Sequence, residues 1–169
     1  IRAAVGAVAE LGDVMVVAPR RQQSSTGRGI GGAKHERLTP MAFMVEGKPI
    51  RAYACDATPA QTVLHGLNVL GARRRPALIV SGINYGENPG TCVTSSGTVG
   101  AALQGAEFGV PALAVSLETD KQYHYEHGAD VDWRVAAQFT RKMAQTVLAA
   151  QLPFDVDVLK IDVPAEATD

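Results

Sequence analysis

Cysteine is scarce in this chain: Cys55 and Cys92 are the only two in 169 residues. They form neither a metal-binding spacing nor a disulfide framework, so the sequence predicts a reduced, cytoplasmic setting. Surplus charge is equally absent. A net charge of −1 makes no global field to attract a nucleic-acid polymer or an anionic membrane, so phosphate recognition has to be local. The basic clusters, Arg20-Arg21 and Arg73-Arg74-Arg75, flank expected strands and read as solvated loop charge. No apolar run is long enough to span a bilayer, and no signal peptide is visible. A Gly-x-Ser-x-Gly elbow is lacking too, which argues against a serine hydrolase. What remains is ordinary globular composition and a length that suits a single domain over 1–169.

Apolar periodicity alternates between strand and helix along the chain. Ile1, Val5, Val8 and Leu11 repeat at helical spacing, with no cap and no initiating methionine, and Gly12-Asp13 ends that run. Val14–Ala18 reads as a buried strand. A parallel sheet normally places a strand before such a helix, so the chain reads as a fragment or a late-starting product. Residues 43–54 suggest two strands around a Gly-containing turn. Thr58-Pro59 marks a helix start whose apolar face is Val63, Leu64, Leu67 and Leu70, ending at Gly71. A strand at 77–81 precedes a long polar loop. Ser96-Gly97-Thr98 then opens a helix with Val99, Ala102, Leu103 and Ala106 on one side, stopped by Gly109. Strands at 111–116 and 156–163 bracket a helix in which Val135, Phe139, Met143 and Val147 recur every four residues. The expectation is an α/β fold with a mostly parallel sheet.

Two loops stand out at the carboxyl ends of predicted strands, where open α/β sheets bind ligands. One is the Gly/Ser-rich stretch 19–32, containing Ser24 and Ser25, whose hydroxyls are either ligand-binding or merely solvated. The other runs from Asn84 to the helix start at Ser96-Gly97-Thr98. A helix N-terminus offers unpaired N–H groups to an anion, although a plain Ser or Thr cap explains the same residues. Gly97 then serves to let the backbone approach a phosphate, so that substitution there weakens binding more than folding. His124 and His127, three apart in a polar insert, have the spacing of a metal pair but read better as loop residues.

Val80-Ser81-Gly82-Ile83-Asn84-Tyr85-Gly86 and Ser96-Gly97-Thr98-Val99-Gly100-Ala101-Ala102 closely resemble motifs of the SurE (survival protein E) family of metal-dependent nucleotidases. Val16-Val17-Ala18-Pro19 with Gln23-Ser24, Thr58-Pro59-Ala60, and the stretch from Glu107 to Ser116 continue the similarity in order. The resemblance implies a Rossmann-like three-layer domain whose first strand lies before Ile1, and whose C-terminal arm is absent after Asp169. It implies hydrolysis of nucleoside monophosphates (5′/3′-nucleotidase, acid phosphatase-like) with a divalent cation, Mg²⁺ or Mn²⁺. Ser24 and Asn84 correspond to two metal ligands, and Ser96, Gly97 and Thr98 to the phosphate-binding residues. The family's other ligands are adjacent aspartates, and no Asp-Asp pair occurs in this sequence, so the catalytic residues are unassigned. Gln61 and Thr62 stand where the family usually shows Asp and Cys, Ser95 where Tyr is common, and Lys160-Ile161-Asp162 replaces an Asn-containing strand end. A homodimer or homotetramer is implied for the full-length protein. The alternative is a non-catalytic phosphate- or nucleotide-binding relative that lacks the aspartates.

Overall fold

The computed structural model describes every residue except 33–36, 73, 125–129, 151 and 169. His127 and Arg73 therefore lie outside the described residues. Two parallel strand groups form the frame. In one, β1 (Met15–Pro19) pairs in parallel with β5 (Arg51–Cys55), and β2 (Thr39–Met41) adds antiparallel to β5. In the other, β6 (Ile79–Tyr85), β7 (Ala112–Leu117) and β8 (Val158–Val163) run parallel in that order. No pairing joins β1 to β6, so each keeps one unpaired edge among the described residues. Residues of β1 are accordingly only half-buried, whereas all six of β7 are buried.

Helices cover both faces. α1 (Arg2–Val8) and α5 (Arg134–Ala149) pack on one side, and α2 (Pro59–His65) and α4 (Gly97–Glu107) on the other. Alternation along β7 explains the two cores. Leu113, Val115 and Leu117 face Ala4, Ala136, Ala144 and Val147. Ala112 and Ala114 face Val99 and Ala102 of α4, and these small side chains let that helix lie close to the sheet.

Several boundaries and faces differ from the sequence reading. The buried stripe of α5 is Ala136, Thr140, Ala144 and Val147, while Phe139 is 39% exposed. Bulky side chains thus flank the contact and small ones make it. Leu103 of α4 is likewise exposed, because Gly97, Gly100, Ala101 and Gly105 take the buried positions against neighbouring chain. Past His65, α2 continues as a π-helical turn over Gly66–Leu70. The strand pair expected around Gly47 is a short hairpin, β3 (Met44–Val45) with β4 (Lys48–Pro49), and Glu46 and Gly47 turn it with φ of +50° and +75°. β6 runs on through Asn84 to Tyr85, beyond the expected end at Ser81.

Candidate functional site

The site begins where β1 ends. Pro19 closes the strand, and an irregular loop carries Ser24, which is exposed, to Ile30. Ser25 adopts φ +55° and Gly27 φ +51°, so the loop doubles back tightly. It does not float. Gly27 N–H donates to the Ser95 carbonyl at 2.8 Å. Thr58 pins the following residues, since its Oγ1 donates to Gly29 O at 2.7 Å and accepts from Gly31 N–H at 3.3 Å. The same Oγ1 caps α2 by accepting from Gln61 N–H. Thr58 therefore fulfils its predicted cap and also anchors the Ser24 loop.

β6 delivers Asn84 through a bulge. Ser81 is opposite Ala114 and Asn84 opposite Ser116, so one extra residue is accommodated between them. Gly82 occupies the bulge at φ +131°, where a Cβ would strike the Val115 carbonyl oxygen. Only glycine suits that position. The Asn84 amide nitrogen donates to Tyr85 O at 3.0 Å and Gly86 O at 2.8 Å. This fixes the amide orientation and leaves Oδ1 as the oxygen with no described donor.

The loop after β6 contains a short helix, α3 (Cys92–Ser95), and leads directly into α4. Ser96 is the N-cap of α4, accepting from Val99 N–H at 3.2 Å, and its carbonyl accepts from Gly100 N–H. The N–H groups of Gly97 and Thr98 remain without an intrahelical partner, as the geometry of a helix start requires. Ser96 and Gly97 are buried and Thr98 half-buried.

The structure brings the Ser24 loop onto this helix start. A Cβ on Gly97 would fall 2.8 Å from Thr26 Oγ1 and 3.0 Å from Pro59 Cγ. One on Gly100 would collide with the Gly27 carbonyl oxygen. Thr26 Oγ1 is buried without a hydrogen-bond partner among the described residues. The loops after β1 and β6 thus meet at one end of the molecule. No hydrogen bond joins Ser24 directly to Asn84 among the described residues.

Hard divalent cations take oxygen ligands, and an exposed serine hydroxyl and an amide oxygen with its nitrogen tied back suit one in kind. They do not suit it in charge. No group of three or more His, Cys, Asp or Glu residues is placed to hold a metal among the described residues. Sequence reasoning overlooked Thr26 as the packing partner of Gly97, and Asn88, which bridges Ser116 and Asp162. Alternation of β8, with Lys160 and Asp162 two apart on one face, was the available signal for the second. Cys55 is buried and Cys92 exposed, and neither is in a disulfide. A surface depression of about 480 Å³ lies between the end of the Ser24 loop, at Arg28 and Ile30, and the C-terminal part of α4, and the ion-paired Arg28 and Glu107 line it. No helix among the described residues is long and apolar enough to cross a membrane.

Comparison with known proteins agrees with the motif order. The family described as "Survival protein SurE" matches residues 1–169. A protein of Thermococcus gammatolerans named 5′-nucleotidase SurE is 42% identical over 169 residues, covering 100% of this chain and 61% of that protein. A protein of the same name from Methanothrix thermoacetophila is 39% identical over 173 residues, again covering 100% of this chain, and 64% of its own length. The crystal structure of the SurE protein from Aquifex aeolicus superposes with a TM-score of 0.75 at 29% identity, over 96% of this chain and 60% of that one. The chain thus spans less than two thirds of these relatives. The family match runs the whole length of the chain and the structural likeness over 96% of it, and the chain belongs to the SurE family.

Proposed function

We propose that this chain forms most of a metal-dependent phosphomonoesterase that hydrolyses nucleoside monophosphates to nucleoside and phosphate, with Mg²⁺ or Mn²⁺ as cofactor. The observation that carries the reading is the packing of the Ser24 loop on the start of α4. It sets a hydroxyl loop beside a helix N-terminus where the Gly97 and Thr98 N–H groups have no intrahelical partner among the described residues. Relatives named 5′-nucleotidase support the choice of substrate.

In this reading Gly97 and Thr98 bind the phosphoryl oxygens through backbone N–H groups, aided by the α4 dipole. The Thr98 hydroxyl donates a further hydrogen bond. Ser24 Oγ and Asn84 Oδ1 are the neutral part of the metal's ligand set, and adjacent aspartates supply the charge that this chain lacks. A bound divalent cation supplies Lewis-acid polarisation of a phosphoryl oxygen and an acidified water. Asn84 contributes a fixed orientation, because its amide nitrogen is held by two carbonyls. We assign a cytoplasmic setting and a homodimer or homotetramer to the full-length protein.

The lack of an Asp-Asp pair favours one further reading, a phosphate-binding module without catalysis. The two separate by experiment. Chain 1–169 is compared with the same chain joined to a strand bearing Asn-Asp-Asp-Gly, and phosphate release from nucleoside monophosphates is measured with Mn²⁺ and with chelator. The enzyme reading expects chelator-sensitive turnover only in the extended chain. Inactivity of both, with phosphate binding retained, supports the module.

A further inference from the structure

The carboxyl ends of β6, β7 and β8 carry a polar cluster outside the nest and the ligand pair. Asp162 stands opposite Ser116 in the β7–β8 register, and Lys160 opposite Ala114. Alternation puts them on the sheet face toward α4, where Ala114 packs with Val99 and Ala102. One Asp162 carboxylate oxygen is paired with the Lys160 ammonium. The other accepts the Asn88 backbone N–H at 3.2 Å. Asn88 in turn donates through its side-chain amide to Ser116 Oγ at 2.9 Å. Ser116 is 1% exposed, so this bond satisfies a hydroxyl that water does not reach. Lys160 and Asp162 side chains are only 25% and 26% exposed, unlike the outer ion pairs of Arg74 and Arg134.

Asn88 lies four residues after Asn84 in the span that leads to the Ser96 cap. On its upstream side, Gly86 N–H donates to Leu117 O at 2.8 Å. Downstream, Cys92 N–H donates to Pro89 O, and Ser96 N–H to Cys92 O, both at 3.0 Å. Those downstream bonds are internal to the span. Between Gly86 and Ser95, whose carbonyl accepts the Gly27 N–H, Asn88 is the residue that ties it to β7 and β8 among the described residues. We propose that Asp162, acting through Asn88, is a positioning residue that fixes this span and so sets the separation between Asn84 and the Gly97–Thr98 N–H groups. Lys160 cancels the carboxylate's charge, which would otherwise oppose an anion bound nearby. The inference rests on the phosphate-site reading given above.

The test uses the whole chain and inorganic phosphate as probe. Amide exchange and chemical shifts are followed by NMR in the parent, Asp162→Ala and Asp162→Asn, with phosphate titrated into each. Asp162→Ala is expected to speed exchange at Asn88, shift the Gly97 and Thr98 amides, and weaken phosphate binding on the order of tenfold, the scale of one lost charge-assisted hydrogen bond. Asp162→Asn keeps an acceptor oxygen for Asn88 and is expected to restore most of the loss, which a general loss of stability would not do. Unchanged Asn88 exchange in Asp162→Ala overturns the inference. So does faster exchange with Gly97 and Thr98 shifts and phosphate affinity both unmoved. A parent chain that binds no phosphate overturns the nucleotidase reading instead, and the Asn88, Gly97 and Thr98 amides still decide the role of Asp162.

Discussion

Gly97 and Thr26 touch where a side chain on Gly97 would have to go: its Cβ would lie 2.8 Å from Thr26 Oγ1. The glycine at the start of α4 is thus needed for loop packing before any ligand arrives. Gly97→Val is expected to displace the Ser24 loop and to cost about 1–3 kcal/mol of stability, the usual range for overpacking. This reverses the expectation that substitution here spares the fold. Gly100→Ala, aimed at the Gly27 carbonyl, should behave alike. Urea unfolding of both variants checks this, and unchanged midpoints would refute the packing.

Ser96 and Thr98 separate capping from ligand binding. Ser96 accepts the Val99 N–H, so Ser96→Ala should cost about 1 kcal/mol of stability through loss of the cap. Thr98 has no such bond among the described residues. Thr98→Ala should leave stability within about 0.5 kcal/mol. It should weaken phosphate binding by about 1 kcal/mol. Calorimetric titration with phosphate, beside thermal unfolding, reads both quantities. Equal effects of the two variants on both would sink the division.

The sequence displayed the elements well because apolar runs and caps act locally. Thr58-Pro59, the strand at 111–116 and the helix opening at Gly97 lie where their signals put them. Faces were harder to read. In α5 the four-residue repeat found Val147, which is buried, and Val135 and Met143, which pack at the core's margin, but it missed Ala136, Thr140 and Ala144 and included the exposed Phe139, since close helix–sheet approach selects small residues. The site was legible as two loops and not as one place. Thr26 against Gly97, and Asn88 against Asp162, are contacts across 71 and 74 residues of sequence, which no local pattern encodes.

Acid should loosen the start of α5 specifically. Asp132 accepts the Arg134 backbone N–H at 2.9 Å and grips its guanidinium at 2.7–3.0 Å. The side-chain hydrogen bonds from Arg134, then its backbone N–H, hold the Asp132 carboxyl below the usual aspartate range. A depressed native pKa means the contribution is present above the unfolded-state value and disappears as pH falls through the native one. Asp132 is exposed, so the global effect is small and local fraying is the better readout. The Arg134 amide shift, followed during acid titration, should report a midpoint below that of an ordinary aspartate. A midpoint at or above the ordinary value would contradict the assignment.

The break between β1 and β6 should be visible in hydrogen exchange. In a parallel pair each strand directs only part of its N–H and C=O groups to a given neighbour. β7 has neighbours on both sides, β6 and β8, and its six residues are all buried. β1 has β5 alone and β6 has β7 alone among the described residues. Amides of β1 that point away from β5, and amides of β6 that point away from β7, therefore face an open edge. Such groups exchange through local fluctuations at little free-energy cost, whereas β7 amides need a much larger opening. The expected pattern is alternating protection along Met15–Ala18 and uniform strong protection across Ala112–Leu117. An unpaired apolar edge also favours association, so chain 1–169 should self-associate as its concentration rises. A strand that pairs with β1 and β6 should suppress this association and at the same time slow the fast amides. Uniform protection of β1, as strong as that of β7, would mean that the edge is already paired in solution and would refute the open break.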